Sequence, residues 1–153
     1  MKKWRQKIIV LLLLPALALG GRCLYLIAIN DELNSAAAVG SVPSVQGLLR
    51  AGAGIEGRSV HFMTPLMSAA KGGNLSMVLF LLSHGADVNA HNGSGSALMW
   101  AAASGSAGMV RVLIAHGADV NWRSDAGGTA LQMAGEYKHP AVVTMLRRAG
   151  ATR

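Results

Sequence analysis

Beyond residue 30 the apolar positions fall in short bursts at helical spacing, and the bursts come in pairs separated by glycine. In residues 64–90, TPLMSAAKGGNLSMVLFLLSHGADVNA, Ala69 and Ala70 precede Gly73, and Val78, Leu81 and Leu82 precede Gly85. The spacing predicts two helices joined by a tight turn. The same pattern returns as SALMWAAASGSAGMVRVLIAHGADVNW over 96–122 and, more weakly, as TALQMAGEYKHPAVVTMLRRAGAT over 129–152. On that frame DELNSAAAVGSVPSVQGLLRAGA, over 31–53, is a further copy, so copies start at 31, 64, 96 and 129, in steps of 33, 32 and 33 residues. A fixed period of this size marks a stacked array in which no copy can bury its apolar stripe alone.

Each aligned row has a physical task. Ala36/Ala37, Ala69/Ala70 and Ala101/Ala102, reduced to Ala134 and Gly135 in the last copy, let antiparallel helices approach closely. Gly40, Gly73 and Gly105 stand where the first helix must end in a left-handed cap. Ser41, Asn74 and Ser106 follow as expected N-caps of the second helix, with His139 in that row of the last copy and Pro140 at a first-turn position. Val45, Val78, Val110 and Val143, then Leu48/Leu49, Leu81/Leu82, Leu113/Ile114 and Leu146, form the buried stripe of the second helix. Gly52, Gly85, Gly117 and Gly150 close it.

With period and rows together the chain resembles the ankyrin-repeat family over nearly everything after residue 30. The resemblance implies an all-α solenoid of four helix-turn-helix repeats with short hairpin loops, at about 31–63, 64–95, 96–128 and 129–153. It also implies a protein partner held without enzymatic chemistry. There are departures. Only Thr64-Pro65-Leu66 keeps the family's Thr-Pro-Leu opening, and the histidine that usually follows is replaced by Asn34, Met67, Met99 and Gln132, which predicts a looser array. The loop over 89–96, NAHNGSGS, is one residue shorter than NWRSDAGGT, and its Gly-rich tip is expected to be flexible.

The first 29 residues follow another pattern. MKKWRQK carries Lys2, Lys3, Arg5 and Lys7, and is followed by IIVLLLLPALALGG, then Arg22, Cys23 and LYLIAI. As one helix, residues 8–29 reach about 33 Å at ~1.5 Å per residue, enough for a hydrocarbon core of roughly 30 Å. This predicts a transmembrane anchor over 1–29 ahead of a repeat domain over 30–153. Arg22 lies in the outer third of that span, where its side chain can snorkel. The competing reading is a secretory signal, cleaved after a small-residue site such as Ala16-Leu17-Ala18, which would release a soluble secreted or periplasmic binder. LYLIAI would then begin the mature chain, and it could fold back to cap the open end of the stack.

Charge sharpens the topology rather than the chemistry. The net +7 is concentrated at the start: five of the fourteen basic residues lie in the first 22, and all seven acidic ones lie beyond residue 30. The repeats keep nine basic and seven acidic residues, a net of +2, which gives no reason to invoke nucleic acid. By the positive-inside rule the N-terminus is cytoplasmic and the repeats extracytoplasmic, periplasmic in a bacterium. Cys23 is the single cysteine, so no intramolecular disulfide can form.

Candidate chemistry is sparse. His84 and His116 share a row just before the glycine that ends the outer helix; a metal site there is the rival reading, but no second ligand row accompanies them. A histidine in that place meets the exposed carbonyls and negative dipole of a helix C-terminus. Asp87 and Asp119 serve turns in the GADVN segments. No nucleophile elbow, phosphate loop or paired-cysteine spacing is present, and no cofactor or small-molecule substrate is expected. The seven repeat-region methionines fall on helical rows and read as packing.

What the resemblance leaves is a binding face formed by hairpin tips and the open side of the inner helices. Carried onto this chain, the tips contribute Arg58, Val60, His61 and Met63, then Ala90, His91 and Asn92, then Arg123 and Asp125. The inner helices contribute Lys71, Trp100, Ser104, Met133, Glu136 and Tyr137, with Trp122 beside the third tip. Trp, Tyr and Arg are the residue types that dominate interface energetics.

Overall fold

The structure, a computed structural model, describes residues 22–152. Eight α-helices are present among them: α1 Arg22–Val39, α2 Val42–Arg50, α3 Pro65–Lys71, α4 Leu75–Ser83, α5 Ala97–Ala103, α6 Ala107–Ala115, α7 Ala130–Glu136 and α8 Pro140–Arg148. Each odd helix packs on the even helix that follows it, and α1, α3, α5 and α7 stack side by side in one continuous inner row. The expected ankyrin-type solenoid is the observed fold. Among the described residues the only β-pairing is an isolated bridge between His91 and Ser96.

The alanine rows are the reason the helices can stack. Ala37, Ala69, Ala70, Ala101, Ala102 and Ala134 are fully buried, and small side chains there let neighbouring backbones approach. Leu33, Leu66 and Leu98 fill the inner layer, while Val78, Leu81, Val110, Leu113 and Leu146 fill the space between inner and outer rows. Inner helices start on side-chain caps: Thr64, Ser96 and Thr129 accept the amides of Met67, Met99 and Gln132. Inner helices end on left-handed residues, Gly40, Gly73 and Gly105 at φ of 82°, 76° and 71°. In the last copy Lys138 takes that conformation at φ 59° without glycine's freedom.

Three expectations meet different outcomes in the structure. Ser41, Asn74 and Ser106 occupy the N-cap positions of the outer helices, but none of their side chains caps. Asn74 instead donates its amide to the Ala38 carbonyl, and His139 reaches the Ala103 carbonyl at 3.0 Å, so in the second and fourth copies this row ties the copy to the end of the inner helix before it. The missing family histidine is replaced by specific packing. Met67 and Met99 lie in the core, Gln132 completes a capping box with Thr129, and Asn34 bonds the carbonyls of Asn30 and Gly57 at 2.8 and 2.7 Å.

The third concerns the N-terminus. Most of the expected membrane span, residues 8–21, lies outside the described residues; among those described, no helix is long and apolar enough to cross a membrane. The part that is described is the first turns of α1, which runs unbroken across residue 30 into the array. Ile29 is buried in the core, and Tyr25 packs against it while its hydroxyl donates to the Ala51 carbonyl at 3.3 Å. One face of LYLIAI is therefore part of the first repeat.

Candidate functional site

The hairpin tips are built from backbone geometry that the sequence repeats. In the first tip the Ser59 amide donates to the Met63 carbonyl at 2.9 Å and the Phe62 amide to the Ser59 carbonyl at 2.8 Å. The Ser59 hydroxyl oxygen accepts the amides of His61 and Met63 at 3.3 Å each, and Arg58 Nη1 donates to the Phe62 carbonyl at 2.9 Å. The third tip repeats the plan: Ser124 to Gly128 at 2.9 Å, Gly127 to Ser124 at 2.7 Å, and Arg123 Nη1 to the Gly127 carbonyl at 3.4 Å. The shorter second tip closes between Asn92 and Gly95, whose amide donates to Asn92 Oδ1 at 3.0 Å.

The three tips are cross-linked to one another. Arg58 also donates to the His91 carbonyl at 3.0 Å, Asn92 Nδ2 donates to the His61 carbonyl at 3.3 Å, and the Asp125 amide donates to the Gly93 carbonyl at 2.8 Å. Gly93 has φ 80°, and a Cβ there would run into the Asp125 carboxylate, so this close approach requires glycine. The middle tip, read from its glycines as flexible, is held on both sides.

A second ladder joins the loops behind the tips. Glu56 Oε1 accepts the Asp87 amide at 2.8 Å, Asn89 Oδ1 the Asp119 amide at 2.7 Å, and Asn121 Oδ1 the Thr152 amide at 2.8 Å. Asn89 and Asn121 also donate to the carbonyls of Gly117 and Gly150, at 3.0 and 3.1 Å. Asp87 and Asp119 accept the amides of Asn89 and Asn121 within their own turns, as expected of turn residues. Burial is the main force raising the Glu56 carboxyl above its usual range; the Asp87 amide opposes that, the Asp87 charge adds to it, and Arg58 opposes it.

The structure sorts the expected face into residues that meet and residues that do not. Arg58, His61, His91, Asn92 and Asp125 lie along the linked tips, and the His91 ring sits 4.8 Å from that of half-buried Trp122. On the inner helices Lys71 Nζ lies 4.9 Å over the Trp100 ring. The Trp100 indole N–H is buried beside Gly95 with no hydrogen-bond partner among the described residues. Met63 turns inward and is only 8% exposed, so it supports the tip rather than offering a surface. Arg123 is engaged with its own tip. Ser104 is exposed at the end of α5 with its hydroxyl on the Ala101 carbonyl at 3.0 Å, Met133 is half-buried, and Glu136 and Tyr137 are exposed at the end of α7.

Sequence reasoning missed the wall opposite the first tip. A groove of about 400 Å³ opens between α1 and α3, and Asp31, Ser35 and Ser68 line it together with His61 and Lys71. Asp31 Oδ1 accepts the Val60 amide at 3.3 Å, and the Ser68 hydroxyl donates to Asn34 Oδ1 at 2.7 Å. The signal lay in the alignment: Ser35 and Ser68 share a row with Trp100 and Met133, both of which were read as part of the face.

The histidine row does not converge. His84 and His116 each place Nδ1 2.8 Å from a carbonyl of their own helix, Phe80 and Val112. Among the described residues no three His, Cys, Asp or Glu side chains group as metal ligands.

Four stacked helix pairs with linked hairpin tips define a helical-repeat scaffold. A family model for ankyrin repeats (3 copies) matches residues 33–124 and 90–152, and the chain belongs to that family. Ankyrin repeats are generic protein–protein interaction modules. No curated protein matches the chain.

Proposed function

We propose that this chain is a non-enzymatic protein-binding array that holds a protein partner on the face formed by its tips and inner helices. The observation that carries this is the cross-linking of the three tips into one arm. A pre-ordered face gives up little conformational freedom on binding. Its chemistry is mixed, with indole, imidazole, guanidinium, ammonium and carboxylate groups alternating along it, which suits a polypeptide surface. A photo-crosslinking residue placed at His91, and separately at exposed Arg111 on the outer row, tests the reading in the native host. A discrete adduct from position 91 that is lost in Trp122→Ala supports it. Adducts from position 111 alone, or from neither, overturn it.

Membrane display is the second part of the proposal. Its support is in the sequence: Lys2, Lys3, Arg5 and Lys7 ahead of a long apolar run, with Asp31 and Glu32 following it. In this reading the N-terminus is cytoplasmic and the repeats extracytoplasmic. A C-terminal alkaline-phosphatase fusion is then active, and the intact chain stays in the membrane pellet after alkaline carbonate washing. A soluble mature protein lacking about twenty residues would instead mean that a secretory signal is removed.

A further inference from the structure

The three tips differ at the residue that takes a left-handed backbone. It is Phe62 at φ 57° in the first, Gly93 at φ 80° in the second and Gly127 at φ 80° in the third. Side chains rarely adopt that conformation. Only in the middle tip does an asparagine come directly before it, and Asn92-Gly93 is the single Asn-Gly pair in the chain. In such a pair, joining the glycine nitrogen to the asparagine Cγ closes a five-membered ring, and glycine has no side chain to hinder the approach.

The structure separates Asn92 from the other asparagines of the loops. The amides that follow Asn89 and Asn121 are occupied: Ala90 donates to the Asp87 carbonyl at 3.2 Å and Trp122 to the Asp119 carbonyl at 3.4 Å. The Gly93 amide has no acceptor among the described residues. Asn92 Oδ1 already accepts the Gly95 amide at 3.0 Å. Ring closure drives negative charge onto that oxygen, and a donor already aimed at it stabilises the charge as it develops. Asn92 is half-buried, so water reaches it.

We propose that Asn92 is a site of spontaneous modification, deamidating through a cyclic imide in the folded chain and loosening the first tip from the second. The Gly93 nitrogen gives its proton to hydroxide and bonds to Asn92 Cγ. The Cγ–Nδ2 bond breaks, and Nδ2 takes a proton from water and leaves as ammonia. Water then opens the ring at either carbonyl, leaving aspartate or, where the main chain now runs through the side chain, isoaspartate. The bond from Asn92 Nδ2 to the His61 carbonyl, at 3.3 Å, depends on an amide hydrogen that both products lack. Both also place a negative charge near the Asp125 carboxylate, which lies against Gly93. Arg58, through the His91 carbonyl, is then left to join the first tip to the second. The proposal concerns the tip itself and holds whether or not the face carries a protein.

The test follows the folded full chain in detergent at mildly alkaline pH, with fragment masses read at intervals by tandem mass spectrometry. We expect the residue at 92 to gain the mass of an amide-to-acid exchange several-fold faster than Asn89 or Asn121, and faster still as pH rises. Equal rates at the three positions, or conversion only in denaturant, overturn the site. Asn92→Asp reads the consequence by hydrogen exchange. Protection at the Phe62 amide, bonded to Ser59 within the first tip, is expected to fall several-fold, while protection at the Asp119 amide on the Asn89 bridge is kept. Unchanged protection at Phe62 overturns the loosening. Loss at both amides overturns it too, because the change is then not confined to the tip.

Discussion

The first and third copies occupy the same frame and differ where the array meets its surroundings. Leu113 of the third copy is fully buried between neighbours, whereas its counterpart Leu48 in the first copy is half-buried. Asn121 ties the third copy to the next loop by both its amide and its oxygen, whereas Glu56 in the matching place offers one carboxylate oxygen and a charge. At the tip the backbone plan is shared, and Gly127 is exchanged for Phe62. The interior copy follows the requirements of stacking at each of these positions. The end copy departs from them, and its departures face outward.

The largest break in that comparison is expected in the core. Leu113→Ala removes a fully buried side chain from the middle of the stack and is expected to cost about 2–5 kcal/mol, with Leu48→Ala costing clearly less. Chemical denaturation of the two variants measures the gap, and equal losses would show that the first copy is as tightly packed as the third.

A smaller effect is expected from the loop ladder. Asn121→Ala deletes the bonds to the Gly150 carbonyl and the Thr152 amide, and at roughly 0.5–1.5 kcal/mol net per bond the cost is about 1–3 kcal/mol. Hydrogen exchange reads it locally: protection at the Thr152 amide should fall before protection in α5 or α6 changes.

The smallest expected effect depends on pH. Because burial raises the Glu56 carboxyl in the folded chain, the folded state holds that proton more tightly than the unfolded state. The Glu56 contribution is full below the ordinary carboxylate range and is lost as pH rises through its raised value. Glu56→Gln keeps an oxygen for the Asp87 amide and removes the ionisation. Its melting temperature should therefore exceed that of the parent at neutral pH, with the difference shrinking on acidification. A constant difference across the series would assign the effect to packing instead.

Most of the scaffold was legible because stacking writes itself into rows. The alanine, valine, leucine and glycine positions recur at one period, and each has a local reason that needs no distant partner. Residues whose partner sits a full repeat away were not legible. Asn74 looks like a cap in sequence and His139 only shares its row, yet both bond the preceding inner helix; Asn89 and Asn121 look like turn residues, yet they also bridge copies. The apolar run before Asn30 showed hydrophobicity without showing faces, so the inward roles of Tyr25 and Ile29 were hidden. Met63 was placed on a tip by register, and only the packing shows it turned inward.

The central claim is that the first tip keeps the scaffold's backbone while carrying, at Phe62, a residue the scaffold does not want. Exchange at the matching positions tests it most directly, by comparing the thermal unfolding of Phe62→Gly and Gly127→Phe with the parent. The account predicts opposite signs, Phe62→Gly gaining and Gly127→Phe losing stability, each by roughly 1–2 kcal/mol. A Phe62→Gly variant that melts at or below the parent temperature would contradict it, because Phe62 would then contribute to the fold it is taken to burden.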